Sequence, residues 1–190
     1  MIKRLPKISL FVLICTITLY ACDNRISEKK IAILTNSQWL CDIEDDNYFG
    51  KQTLMFNKDG RFHQQDDLIL ASEDGGFEFQ MNVSVFNEGE WEIVGDSLFI
   101  IYSKESLTVL PDTQTFHVRT VYNNIDIDGS IKEKMEKELS RYIDEDITRK
   151  YDIVSDIRVC FGIITKITKN TIQIKNGENF LKLKKSGQRH

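Results

Sequence analysis

Phe77-Glu78-Phe79-Gln80-Met81-Asn82-Val83-Ser84-Val85 places five apolar residues on odd positions and four polar ones on even positions. A period of two fits a β-strand with one face on a core and one in water; an amphipathic helix would repeat its apolar positions every three to four residues. The same alternation continues on both sides. Upstream, residues 38–43 put Trp39, Cys41 and Ile43 on one side, and an acidic loop, Glu44-Asp45-Asp46-Asn47, follows. Residues 52–56 and 61–65 flank Asn57-Lys58-Asp59-Gly60, a hairpin turn with glycine where positive φ is wanted. Downstream, residues 89–94 turn Trp91 and Ile93 inward. Gly95-Asp96 then leads into Leu98-Phe99-Ile100-Ile101-Tyr102, a run apolar on both faces that needs a cover on its second side. After a loop around Pro111, strands are expected over residues 115–122, 153–168, 171–175 and 180–184, the last two joined by Asn176-Gly177, the strongest short hairpin signal here.

One helix interrupts the strands. Ser130-Ile131-Lys132-Glu133 has the form of a capping box. Ile131, Met135, Leu139, Tyr142, Ile143 and Ile147 recur at steps of three and four, so an amphipathic helix is expected near residues 130–150 with one stripe seeking an apolar surface. Eight or nine strands in sequential hairpins with one helix define an all-β class: an antiparallel up-and-down β-barrel, or a strongly bent sandwich. Closure removes sheet edges that invite aggregation. A membrane-spanning barrel does not fit, because it needs strands of about 10 residues with outward apolar bands.

The N-terminus is built differently. Lys3, Arg4 and Lys7 precede a twelve-residue apolar stretch from Ile8 to Leu19. A membrane-crossing helix needs about 20 residues, so this reads as a secretory leader. Leu19-Tyr20-Ala21-Cys22 resembles the lipobox of bacterial lipoproteins. The resemblance implies that residues 1–21 are a signal peptide and that Cys22 becomes the N-terminus, carrying a diacylglycerol and an N-acyl chain. More than one acyl chain gives stable anchoring, where a single one holds only marginally. Residues 22–36 are then the lipidated N-terminus and tether, 37–185 the barrel domain, and 186–190 a tail. The expected address is the cell envelope, with the outer membrane preferred to the inner and the face left open.

Cleavage would leave 22 basic and 29 acidic residues, with both signs dispersed along the chain. That argues against nucleic acid, whose binders carry a clustered basic face, and against a polybasic grip on anionic lipid. The anchor must then be covalent. Cys41 and Cys160 remain after export to a compartment that permits disulfides. They could staple an early strand to a late one, or stay as two separate buried thiols.

A second resemblance rests on four features in order: Ser37-Gln38-Trp39; Leu54 to Phe56 followed by Asn57-Lys58-Asp59-Gly60-Arg61-Phe62; Gly89-Glu90-Trp91-Glu92-Ile93; and Gly95-Asp96-Ser97-Leu98. Together they resemble the lipocalin-like lipoproteins of Gram-negative bacteria over residues 37–102, which implies a lipocalin-like barrel. The helix lies outside the matched stretch, and true lipocalins carry their glycine-x-tryptophan on the first strand. The family has no single agreed activity, so the resemblance speaks to architecture more than to function.

Chemistry leaves little linear trace. His63, His117 and His190 have no metal-ligand spacing, and no Cys-x2-Cys occurs. Asp66-Asp67, Glu44-Asp45-Asp46 and Asp126-Ile127-Asp128-Gly129 lack the spaced oxygen pattern of a calcium loop. Nucleophile elbows and phosphate-cradling glycine loops are also absent from the sequence. The expectation is a non-catalytic protein without metal or cofactor. Trp39, Phe62, Phe79, Trp91, Phe99 and Tyr102 are the candidate barrel-lining residues. They either hold a small apolar ligand or fill the barrel, since an eight-stranded interior can do either. The expected role is binding a small apolar ligand; the alternative is an interaction module of an envelope or surface assembly.

Overall fold

The computed structural model describes residues 28–45, 48–74, 76–120, 129–152 and 156–187. The leader, Cys22, the loop 126–128 and the last three residues lie outside these. Residues 28–34 are helical (α1). Then follow β1 (Gln38–Asp45), β2 (Tyr48–Phe56), β3 (Arg61–Asp74), β4 (Phe77–Val94), β5 (Ser97–Tyr102), β6 (Thr108–Thr120), α2 (Gly129–Asp152), β7 (Arg158–Ile167), β8 (Thr171–Asn176) and β9 (Asn179–Lys185).

Eight strands close an antiparallel barrel in the order β3-β2-β1-β9-β8-β7-β5-β4, with β4 returning to β3. Trp39 opposite Lys185 and Leu40 opposite Lys184 make the β1–β9 seam. The ninth strand, β6, follows from the length of β4. Residues 89–94 of β4 pair with β5, and residues 77–86 pair with β6 along the same edge. β5 and β6 are thus successive lengths of one track, broken by the 3-10 turn Lys104–Ser106. The break is fastened: Ser106 Oγ donates to Asn87 Oδ1 at 2.7 Å and accepts from the Glu88 amide at 2.9 Å. Past the break the chain leaves the barrel, and β7 takes its place beside β5.

The long hairpins therefore rise beyond the barrel as a tongue of β2, β3, β4 and β6. Two apolar clusters result. The barrel cluster holds Leu34, Trp39, Leu54, Phe56, Phe62, Trp91, Leu98, Ile100, Ile172, Ile174 and Leu183. The tongue cluster holds Leu68, Met81, Val83, Val85, Phe116, Val118 and Ile143. Met135 and Leu139 of α2 join the second cluster, so the expected stripe finds its surface on the tongue. Ile131, Tyr142 and Ile147, like the Ser130 side chain of the capping box, lie outside the described side chains.

Several expectations need correcting. The strand expected over 61–65 runs on to Asp74, and Glu44 and Asp45, expected in an acidic loop, belong to β1. Pro111 lies within β6, opposite Val83, in place of the expected loop. It is tolerated because β6 is an edge strand, where a missing amide costs no ladder bond. The tether reading of residues 22–36 fails from residue 28 onward. Leu34 is fully buried, Ile31 and Ile33 pack on the barrel cluster, and Trp39 Nε1 donates to the Leu34 carbonyl at 2.9 Å. α1 is part of the domain and sits over the barrel end that carries the 57–60 and 95–96 turns, held there by an ion pair between Lys30 and Asp96.

The quoted motifs acquire physical roles. Gly60 (φ +86°) turns β2 into β3. Trp91 clamps that turn twice, by its amide to the Gly60 carbonyl at 2.7 Å and by its indole N–H to the Asn57 carbonyl at 2.9 Å. No helix among the described residues is long and apolar enough to cross a membrane.

Candidate functional site

The six candidate lining residues divide. Trp39 and Phe62 are fully buried and Trp91 is 8 % exposed. Two of them meet other rings: Phe56 meets Trp91 edge-on at 5.3 Å and Phe62 meets Tyr102 edge-on at 5.4 Å, while Trp39 packs in the same cluster. They fill the lower barrel, which α1 closes. Phe79 is inward but half-buried on the tongue cluster, 6.4 Å from Phe77. Phe99 is a correction. Leu98 and Ile100 take the inward positions of β5, so alternation turns Phe99 outward, where the Arg158 guanidinium lies 3.6 Å above its ring. That cation is the cover the doubly apolar run requires.

Cys41 and Cys160 are both free thiols, so the candidate disulfide is not formed. β1 and β7 are not neighbours in the barrel. Cys41 is buried while Cys160 is exposed on the outside, so the picture of two buried thiols holds for Cys41 alone. Burial first, then the nearby carboxylates of Asp66 and Asp42, push the Cys41 thiol up to about 12. It stays protonated and unreactive at ordinary pH.

Between the two apolar clusters runs a belt of polar side chains that periodicity alone did not single out. Asn87 is 1 %, Asp66 2 % and Gln64 4 % exposed. Strand register brings them together: Gln64 lies opposite Asn87, Asp66 opposite Gln52, and Gln52 opposite Cys41. Gln64 Nε2 donates to Asp66 Oδ2 at 2.7 Å, Tyr102 Oη donates to Gln64 Oε1 at 3.3 Å, and Cys41 Sγ donates to Gln52 Oε1 at 3.4 Å. Burial, followed by the Asp66 charge, raises the Tyr102 phenol above its ordinary range, so it remains a donor. Asn87 spends its carbonyl on Ser106, and its Nδ2 meets no acceptor among the described residues. Buried polar groups cost stability unless bonded, so a belt at this depth is an expensive way to fill a barrel.

The same alternation undoes the adjacent-acid idea for calcium. Asp66 points into the belt, while Asp67 is outward and accepts from Ser84 at 3.1 Å. Consecutive strand residues face opposite ways and cannot converge on one ion. His63 is a strand histidine on the outside, 3.0 Å from Glu88. No cluster of three metal-ligating side chains occurs among the described residues. The belt's sequence signal was available: Gln64 and Asp66 continue the parity of Phe62 into Leu68, so polar residues stand on the inward side of a strand that runs on past residue 65.

No protein-family model matches the chain, and no curated protein matches it.

Proposed function

We propose that this protein is a membrane-anchored bacterial lipoprotein, held by lipids on Cys22, whose lipocalin-like barrel binds a small amphiphilic ligand in the cell envelope. The observation that carries the reading is the buried belt of Gln64, Asp66 and Asn87 beside half-buried Phe77, Phe79, Tyr48 and Leu70. The lower barrel is packed, which moves any ligand to the tongue end. There a polar head would meet the Asn87 amide and the belt, and an apolar body would lie on the tongue cluster beneath α2. In this reading the belt residues bind and position the ligand, and the protein is non-catalytic.

A second reading, an interaction module of an envelope or surface assembly, draws support from that same packed lower barrel, which suits a scaffold. The two separate at Asn87. Asn87→Leu keeps the volume and removes the unmet amide. If the belt serves a ligand, protein extracted from the envelope yields a bound small molecule on solvent extraction, and Asn87→Leu yields much less while unfolding within about 1–2 kcal/mol of the parent. Equal yields from both proteins, or none from the parent, would overturn the ligand reading.

A further inference from the structure

One wall of the barrel departs from the charge of the rest. Residues 157–190 hold eight basic residues and one acidic, whereas residues 1–156 hold 17 and 28. The fold turns the basic stretch into three neighbouring strands, β7, β8 and β9. Ile172, Ile174 and Leu183 are buried in the core, so alternation sends Lys175, Lys182 and Lys184 outward. Lys166 stands opposite Gln173, which stands opposite Lys182, while Lys184 stands opposite Thr171. All four lysines are exposed. One register row runs Val94, Ser97, Ile163, Lys175, Phe180 across five strands. In it Val94 is 54 %, Ile163 48 % and Phe180 67 % exposed. Glu178 at the hairpin tip is the one acid of these three strands and their turns; Glu92 on β4 is engaged by Arg158. The two signs are therefore not dispersed: the excess of basic residues sits in the last 34 residues of the chain, and the fold turns its lysines to one outer face.

The chain enters the domain beside this wall. Lys30 of α1 pairs with Asp96, whose carbonyl accepts from the Ile164 amide of β7 at 2.8 Å. Cys22 precedes Glu28 by six residues, a reach of at most about 20 Å. A lipid on Cys22 would keep the start of α1, which adjoins the basic wall, within that distance of the bilayer.

We propose that the outward face of β7, β8 and β9 docks on the anionic headgroup surface of the membrane. The lysines sit at phosphate level, and Phe180 and Ile163 enter the interface. Flexible lysine stems carrying charge beside exposed apolar side chains suit a lipid boundary, and anionic headgroups attract each basic residue held near them. The attraction is screened beyond roughly 10 Å at moderate salt, so it acts only on a face kept close. An acidic protein would answer the charge, but nothing else on this wall selects for one. The proposal rests on the anchor at Cys22 and adds an orientation to it.

Cys160 supplies the reporter. It is exposed on the outside of β7, and Cys41 is buried and protonated. Lipidated protein labelled there with an environment-sensitive dye is reconstituted into phosphatidylcholine vesicles with or without phosphatidylglycerol. The expected result is flotation with both, and a blue shift with phosphatidylglycerol alone that high salt reverses. Lys175→Glu/Lys182→Glu/Lys184→Glu should weaken that response roughly tenfold or more. Flotation without a phosphatidylglycerol-dependent shift overturns the docking face and leaves the anchor standing. Flotation with phosphatidylglycerol vesicles alone supports the face and removes the anchor; flotation with neither removes both. A shift with soluble polyglutamate but not with vesicles assigns the wall to an acidic protein and overturns the proposal, as does an unchanged shift in the triple variant.

Discussion

Trp39→Ala should lower folding stability by about 3–5 kcal/mol, the range for deleting a large buried aromatic. Trp39 is fully buried in the barrel cluster, and its indole N–H is the donor that holds the Leu34 carbonyl at the end of α1. The substitution therefore empties the barrel floor and unfastens the helix that closes it. Trp39→Phe separates the two effects, because it keeps most of the apolar volume and leaves the carbonyl without its donor, a loss of about 1–3 kcal/mol. Chemical denaturation gives the totals, and hydrogen exchange over residues 28–34 reads the helix. Both variants should show faster exchange there than the parent. Protection unchanged in Trp39→Phe would mean that apolar packing alone seats α1.

Gly89→Ala should be nearly as damaging, through overfilling. Gly89 is on an inward position of β4, where the fold brings backbone against backbone. A methyl there would come within 2.0 Å of the Ile101 carbonyl oxygen and 2.7 Å of the Phe62 ring. The ring can turn, but the carbonyl belongs to β5, whose ladder with β4 holds both strands. Overpacking a well-filled core costs typically 1–3 kcal/mol, and an obstacle made of backbone puts this case at about 3 kcal/mol or beyond. Urea titration should show the midpoint falling accordingly. Adding Phe62→Leu should not restore it; recovery in the double variant would make the ring, not the carbonyl, the obstacle.

Much of the architecture was legible because half-buried antiparallel strands announce themselves by parity. The run from Phe77 to Val85, the 57–60 turn and Asn176-Gly177 all form as their residues dictate, and Met135, Leu139 and Ile143 dock α2 as their spacing requires. What failed had physical causes. The tongue was hidden because residues 66–74 mix acids with apolar residues and show no clean alternation, although β4 pairs with all of them and β2 with residues 66–70. α1 was hidden because seven residues carry little periodicity, and it is seated by packing of Leu34, Ile31 and Ile33 on the barrel cluster, by the nearby Trp39 indole and by Asp96, which is remote in sequence. Phe99 looked like lining because a run apolar on both faces does not say which side is in; the cation that covers it arrives from β7. The polar belt needed the register of four strands before Cys41, Gln52, Asp66, Gln64 and Asn87 became neighbours. The basic wall was present in the count of the last 34 residues, and strand alternation was needed to put its lysines on one side.

The proposed mooring of the closed barrel to the envelope through Cys22 is tested most directly by intact-mass spectrometry of the protein extracted from cell envelopes. The predicted result is a chain that begins at Cys22 and carries the mass of a diacylglycerol and an acyl group, with Cys22→Ser accumulating as the unlipidated precursor. A wild-type chain found unmodified with its first 21 residues in place, or a Cys22→Ser chain that still carries the lipid mass, would contradict it.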